Sequence, residues 1–294
     1  MTRVLVLGGA GMLGHKAFQT LSERFETWVT FRRFDERLRA SGLFPESRVI
    51  AGVDASALET VRDAVDRARP DVILNCVGVI KQLDAAKDAR TSIYTNALFP
   101  HLLAAEASER GARVIHVSTD CVFSGDRGQY GEEDFADARD LYGRTKFLGE
   151  LPAPHLTMRT SIVGRELFTT LSLLDWFLSQ RGGTVRGFRR AIYTGFSTIA
   201  LSREIARVIG ERPGLTGLYH VSSEPITKYD LLHLWREAYG VEVGIEPDDA
   251  FFCDRSLRSE RYRADAGFTP PSWPDMVREM ARDATPYERI RGLA

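Results

Sequence analysis

The chain has 294 residues, 44% of them apolar and 27% charged, with a formal net charge of −1. This is the balance of a globular protein long enough to bury its own core without a metal or a disulfide framework. A near-neutral total argues against a nucleic-acid partner and against electrostatic attachment to anionic lipid, since both favour a strongly basic face. The three cysteines, Cys76, Cys121 and Cys253, lie far apart and form no C-x-x-C pair, so no metal is assigned. The opening apolar run, residues 4–7, meets glycine too soon for a signal peptide. No apolar stretch reaches the length of a membrane span. The expected setting is a reducing, cytoplasmic compartment with no membrane partner.

In chain order, residues 3–7 read as a buried strand, 12–25 as a helix, 27–31 as a second strand and 48–51 as a weaker third. Asp54 stands where a helix N-cap is needed, and 55–68 follows with helical spacing until Pro70-Asp71 breaks it. Residues 72–75 read as a fourth strand. A long helix is expected over 91–110 despite Pro100 near its middle, and a fifth strand over 113–118. Alternating strands and helices predict parallel strands joined by crossover helices, and the near-continuous apolar runs fit strands covered on both faces. The fold class is therefore α/β, a Rossmann-type doubly wound parallel sheet, whose ligands bind beyond the C-terminal ends of the strands.

The second half is less regular. A sixth strand is expected at 156–161, and a helix at 170–181 with Trp176 and Phe177 on its apolar side, stopped by Gly182-Gly183. Helices at 198–210 and 227–239 enclose a strand at 218–222. From Val241 onward Pro, Asp and Arg predominate, and a small, loop-rich lobe is expected to close over the sheet edge. Residues 1–165 are assigned to dinucleotide binding, with the sheet completed by parts of 190–222, and 166–294 mainly to a small C-terminal substrate-binding lobe.

Gly8-Gly9-Ala10-Gly11-Met12-Leu13-Gly14 follows the first strand and opens the first helix. Gly9, Gly11 and Gly14 match G-x-G-x-x-G, and Gly8, Gly11 and Gly14 match G-x-x-G-x-x-G. Glycines here permit a tight turn and close approach of the backbone to a pyrophosphate seated on a helix N-terminus. Gly8, Gly11, Met12, Leu13 and Gly14 are thus candidate cofactor contacts. An acid at the end of the second strand suits the ribose of NAD, and a base suits the 2′-phosphate of NADP. This chain carries Phe31-Arg32-Arg33, with no acid before Asp35. Arg32 and Arg33 point to NADP(H), with NAD(H) the alternative.

Tyr142 and Lys146 have the spacing Y-x-x-x-K, which places both on one helix face. A tyrosine titrates near about 10. A nearby ammonium would lower that value and make Tyr142 a proton donor and acceptor near neutral pH. The fifth strand ends in Val117-Ser118-Thr119-Asp120-Cys121, so Thr119 can hydrogen-bond a substrate oxygen. Glycine loop, hydroxyl-bearing strand end and Y-x-x-x-K, in this order, are far more specific together than singly.

These stretches resemble the extended short-chain dehydrogenase/reductases, and within them the dTDP-4-dehydrorhamnose reductase group. The likeness is carried by GGAGMLG, by NCVGVIKQ at 75–82, by VSTDCVFSG at 117–125, by LYGRTKFLGE at 141–150 and by MRTSIVG at 158–164. It continues more loosely through GLYHVSS at 217–223. The resemblance implies NADPH-dependent reduction of a keto group, at C4, of a nucleotide-linked deoxysugar. It implies Thr119, Tyr142 and Lys146 as the catalytic trio, with Lys146 also holding cofactor ribose. It puts Asn75, Val77 and Gly78 against the cofactor and Asp54 near its adenine. Thr119, Asp120, Tyr142 and Arg255 become candidate substrate contacts, Arg255 as a clamp on the sugar diphosphate. A homodimer is the assembly such relatives suggest. The related dehydratases carry an Asp-Glu pair after the threonine, whereas Asp120 is followed here by Cys121, which ranks simple reduction above elimination. An epimerase or dehydratase with tightly bound NAD, and a non-catalytic NADP-binding regulatory subunit, are the rival readings. His101, His116 and His220 read as structural, Cys121 as a small hydrophobe and Lys228 as a surface residue.

Overall fold

A computed structural model describes residues 1–80 and 88–292. The first part of the chain runs β1 (Arg3–Leu7), α1 (Met12–Ser22), β2 (Glu26–Phe31), α2 (Glu36–Ala40), β3 (Val49–Ala51), α3 (Leu58–Ala68), β4 (Val72–Asn75), α4 (Ala89–Ser92), α5 (Phe99–Glu109), β5 (Arg113–Thr119), α6 (Leu141–Leu148) and β6 (Leu156–Thr160). The rest runs β7 (Ile162–Val163), α7 (Leu173–Ser179), β8 (Thr184–Tyr193), β9 (Phe196–Ser197), α8 (Thr198–Glu211), β10 (Gly217–His220), β11 (Ile226–Thr227), α9 (Lys228–Tyr239), β12 (Gly244–Asp254), α10 (Glu260–Ala266), α11 (Trp273–Ala281) and α12 (Tyr287–Arg291). Among the described residues, seven strands form one sheet in the order β10-β6-β5-β4-β1-β2-β3, and every neighbouring pair is parallel. The order reverses at β1, so a crevice opens between the C-terminal ends of β1 and β4.

The continuous apolar run of β1 is explained by two cores. Val4 and Val6 face α1 and α8, packing with Leu13, Phe18, Leu201 and Ile205. Leu5 and Leu7 face the opposite way, toward Val61 and Val65 of α3 and Leu103 of α5. Alternate side chains thus enter different cores, and neither face can be polar. Among the described residues no helix is long and apolar enough to cross a membrane.

Several expected elements differ in detail. The helix expected from residue 55 begins at Leu58, with Ala57 at its N-cap and no side-chain cap. The Asp54 carboxylate is spent on its own turn, accepting from the Ser56 backbone N–H at 2.8 Å and its hydroxyl at 2.7 Å. The long helix over 91–110 is three pieces. Asp88 caps α4, a π turn occupies Ile93–Leu98, and α5 follows with Pro100 in its first turn. A proline there withholds no hydrogen bond that a straight helix interior would need. The π turn directs Asn96 inward, where its amide donates to the Val79 carbonyl at 2.9 Å and accepts from the Val79 N–H at 2.8 Å. Trp176 is 39% exposed, and only Phe177 faces the core.

The largest difference lies beyond Val241. In place of a loop-rich lobe the chain forms the eleven-residue β12, parallel to β8, and then α10, α11 and α12. β12 shows no apolar alternation because it is exposed or half-exposed along its length, and it carries Pro247 and three aspartates. Its order comes from backbone pairing with β8, interrupted between Asp248 and Phe252 by an irregularity in register.

Arg159 on β6 is 2% exposed and forms a two-pronged pair with Glu150, at 2.8 and 2.5 Å. Ser118 donates to the same carboxylate at 2.6 Å, and the third Arg159 nitrogen, Nη1, meets His220 of β10 at 2.8 Å. This charge joins α6 to the edge of the sheet. Glu150→Ala would strand a buried guanidinium, and such loss of one partner costs about 3–5 kcal/mol. The expected result is a lower urea midpoint at unchanged m-value, and an unchanged midpoint would contradict the assignment.

Candidate active site

A cleft of about 630 Å³ opens at the C-terminal ends of β1, β4 and β5. Its inner wall starts at the glycine loop. Gly8 takes φ +85°, and a Cβ on Gly14 would run into the Gly8 carbonyl oxygen. Gly9 lies against Val29 and Phe31 so closely that it too has no room for a Cβ. The loop can therefore draw α1 down onto β1 only with glycine at these positions. Gly11 is the N-cap of α1 and has no side chain to offer the first helical N–H groups. Those groups face the cleft beside Met12 and Leu13, as binding of a pyrophosphate requires. The cradle thus fits a dinucleotide.

Gly11, Met12, Leu13, Asn75, Val77 and Gly78 line the cleft, whereas Gly8 and Gly14 shape the loop from behind. Arg32 and Arg33 are exposed at the end of β2 and stand outside it. Asp54 follows β3, also outside, close enough to Arg32 to feel its charge. Lys81 and Gln82 of the NCVGVIKQ stretch lie outside the described residues.

Asp140 caps α6 by accepting from the Gly143 N–H at 2.8 Å, and this starts the helix one residue before Tyr142. Gly143 is needed because a Cβ there would collide with the Cys121 carbonyl. The close packing brings Tyr142 to the end of β5. The Thr119 hydroxyl is hydrogen-bonded to the Tyr142 phenol, to Asp120 at 3.1 Å and to the Cys121 N–H at 3.1 Å. Lys146, one turn on, is 6% exposed and donates to the Val117 carbonyl at 2.8 Å. Its Nζ lies 3.4 Å from Nε2 of His116.

The electrostatics differ from the expectation drawn from spacing. Burial pushes the Tyr142 phenol well above the ordinary tyrosine range, with Cys121, Asp120 and Asp140 adding to the rise and Thr119 opposing it. Lys146 is not among the leading influences on it, and its ammonium donates to the strand carbonyl of Val117. Burial also pushes Lys146 itself down to about 8, partly offset by Glu150. His116 is held neutral by burial and by the Lys146 charge.

His116, read as structural, is fully buried and lies against Lys146. It joins a buried chain in which Asn75 Oδ1 accepts from the Val77 N–H at 3.1 Å and Asn75 Nδ2 meets His116 Nδ1 at 3.1 Å. Asn75 is thus engaged within the protein and fixes the loop that carries Val77 and Gly78. The available signal was its place on β5, two residues before Ser118 and so on the same strand face. Lys228, read as a surface residue, lines the cleft, as do Glu166, Leu171 and Tyr193 of the second half. No motif marks them. Arg255 also reaches the cleft, with Nε and Nη2 donating to the Phe123 and Ser124 carbonyls at 2.9 and 3.2 Å.

With this geometry in view, residues 1–285 match the family described as RmlD substrate-binding domain. The chain belongs to that family. One relative of this RmlD-family chain is the dTDP-4-keto-6-deoxy-D-glucose reductase of Streptomyces niveus, 29% identical over 82% of this chain and 80% of that protein. Another is the methionine adenosyltransferase 2 subunit beta of Mus musculus, 25% identical over 81% of this chain and 72% of that protein. The dTDP-4-dehydrorhamnose reductase of Bacillus anthracis, solved in complex with NADP, superimposes with a TM-score of 0.77 at 21% identity, covering 95% of this chain and 99% of that one.

The Lys146 ammonium should lose its proton near pH 8 in the free protein, against about 10.4 for an ordinary lysine. Side-chain ¹⁵N NMR of lysine-labelled protein, with Lys146→Met to assign the signal, measures the midpoint. A value above 10 would contradict this placement of the amine.

Proposed function

We propose that the chain reduces a keto group, at C4, of a nucleotide-linked deoxysugar with NADPH. The observation that carries this reading is the convergence of Thr119, Tyr142 and Lys146 on one cleft with the glycine cradle of α1. A family whose named relatives include a dTDP-4-keto-6-deoxy-D-glucose reductase supports it. Cofactor binding is assigned to residues 1–165 with the β10 segment, and the substrate lobe mainly to 166–294.

A bound dihydronicotinamide supplies the hydride. Tyr142 gives its proton to the substrate oxygen as charge develops there. The raised phenol pKa keeps that proton in place throughout the neutral range, which suits a donor in the reductive direction. Thr119 orients the phenol and the oxygen it serves. Lys146, cationic below about pH 8, holds ribose hydroxyls. Loss of that charge lowers kcat/KM for NADPH as pH rises through 8, because this parameter reports the free enzyme. Arg255 has two nitrogens fixed by carbonyls and presents its third, Nη1, to a diphosphate oxygen. Arg32 and Arg33, at the end of β2 with no acid following in the chain before Asp35, receive the 2′-phosphate of NADPH.

Elimination would require a second acid beside Asp120, where this chain has Cys121. The relative named as a subunit of methionine adenosyltransferase supports, as the second reading, a cofactor-binding subunit that regulates a partner rather than catalysing. Against it stands the trio itself, since a subunit that only binds cofactor has no chemical need for a phenol placed on a threonine beside a buried lysine.

NADPH oxidation should be measured against dTDP-, UDP- and GDP-linked 4-keto-6-deoxysugars. Turnover of at least one is expected, and retained NADPH affinity with no turnover would favour the regulatory reading. Tyr142→Phe should cut turnover by about 10²–10⁴ while leaving NADPH affinity near that of the wild type. Replacing Arg32 and Arg33 together by alanine should lower kcat/KM for NADPH at least tenfold, about the worth of one or two charge-assisted hydrogen bonds, and leave that for NADH nearly unchanged. An equal loss with both cofactors would remove the arginines from the phosphate site.

A further inference from the structure

Buried polar side-chain atoms are almost always hydrogen-bonded, and the exceptions call for an explanation. Among the described residues, atoms of Arg113, Tyr193, His233, Trp235 and Tyr239 are buried without a partner. Of these residues only Tyr193 lines the cleft. It is 7% exposed and ends β8, the central strand of the three-stranded sheet β11-β8-β12. Its position is fixed from two sides. The backbone pairs with Ile226 of β11, and the ring stands edge-on to Trp273, with centroids 5.5 Å apart. The ring is therefore held in place, and no protein group among the described residues meets its hydroxyl.

Asp120 connects this phenol to the reacting one. Its carboxylate raises the pKa of both Tyr142 and Tyr193, so it lies within electrostatic reach of each. It also accepts from Thr119, which holds Tyr142. A phenol can donate, and a carboxylate can only accept. A substrate hydroxyl does both, so it can accept from Tyr193 and donate to Asp120 at once. Adjacent oxygens on a sugar ring lie within hydrogen-bonding reach of one another. With the ketone at C4 of a 6-deoxysugar, C5 carries the ring oxygen and the methyl group, and the neighbouring hydroxyl is that on C3.

We propose that Tyr193 is a specificity-determining residue, whose hydroxyl donates to the C3 hydroxyl of the sugar while Asp120 accepts from it. This rests on the ketoreductase reading above. It means that the enzyme selects sugars with a hydroxyl beside the ketone and discriminates against 3-deoxy analogues, which would leave the buried phenol unpaired.

The test is Tyr193→Phe, assayed with a nucleotide-linked 4-keto-6-deoxyglucose and its 3-deoxy analogue. The removed hydroxyl has no partner in the free protein, so the melting temperature should hold or rise, and NADPH affinity should not change. For the 3-hydroxy substrate kcat/KM should fall about 10- to 100-fold, carried mainly by KM, the scale of one buried hydrogen bond left unmade. For the 3-deoxy analogue the variant should match the wild type. Equal losses on both substrates, no loss on either, or a lowered melting temperature would each overturn the inference while leaving the proposed reduction intact. A wild type that turns over no keto sugar would overturn both.

Discussion

The buried ammonium of Lys146 is the interaction on which the site depends. A cation taken out of water is costly unless it is paired, and this one is held by a strand carbonyl at 2.8 Å and by the more distant charge of Glu150. The arrangement binds α6 to β5 at one point. Tyr142, four residues before Lys146, must then stand at the strand end where Thr119 turns outward. His116 and Asn75 extend the constraint to β4, so the segment carrying Val77 and Gly78 is fixed by the same chain of contacts. Three elements are registered by one charge, and its desolvation is what brings its titration near neutral pH.

The first half of the fold was legible because both faces of its sheet are covered. Val4, Leu5, Val6 and Leu7 are all buried, so strands read as unbroken apolar runs between amphipathic helices. The glycine loop and Y-x-x-x-K were legible because steric and spacing rules act locally on them. What failed depended on partners distant in sequence. β8 and β12 pair with each other across more than fifty residues, and neither the exposure of β12 nor its aspartates signals a strand. Asp54 looked like a cap, but Ser56 offered its carboxylate a nearer pair of donors. The titration of Tyr142 could not be read from spacing, because i and i+4 share a face without sharing a direction. Lys146 turns to Val117, and burial then dominates the phenol.

A raised phenol and a lowered amine give the site a direction. Below about pH 8, and so over the neutral range, the tyrosine keeps its proton and the lysine is still largely charged. A site poised for oxidation would need the phenolate before hydride leaves the substrate, and here the free protein disfavours it. Cofactor and substrate bring charges of their own, and in the resting protein the phenol holds its proton.

The two walls of the cleft are built on different physical rules. The cofactor wall is backbone and glycine, where a single added carbon collides with a carbonyl, so few sequences satisfy it and a short motif identifies it. The opposite wall is side chains delivered by β8, α9 and the segment after β7, where many residues fit and no spacing rule applies. The reaction class is therefore written in local sequence, whereas the choice of sugar is written in contacts that exist only after the lobe has folded. On that second wall the Tyr193 hydroxyl is buried without a protein partner among the described residues, a feature no short motif announces.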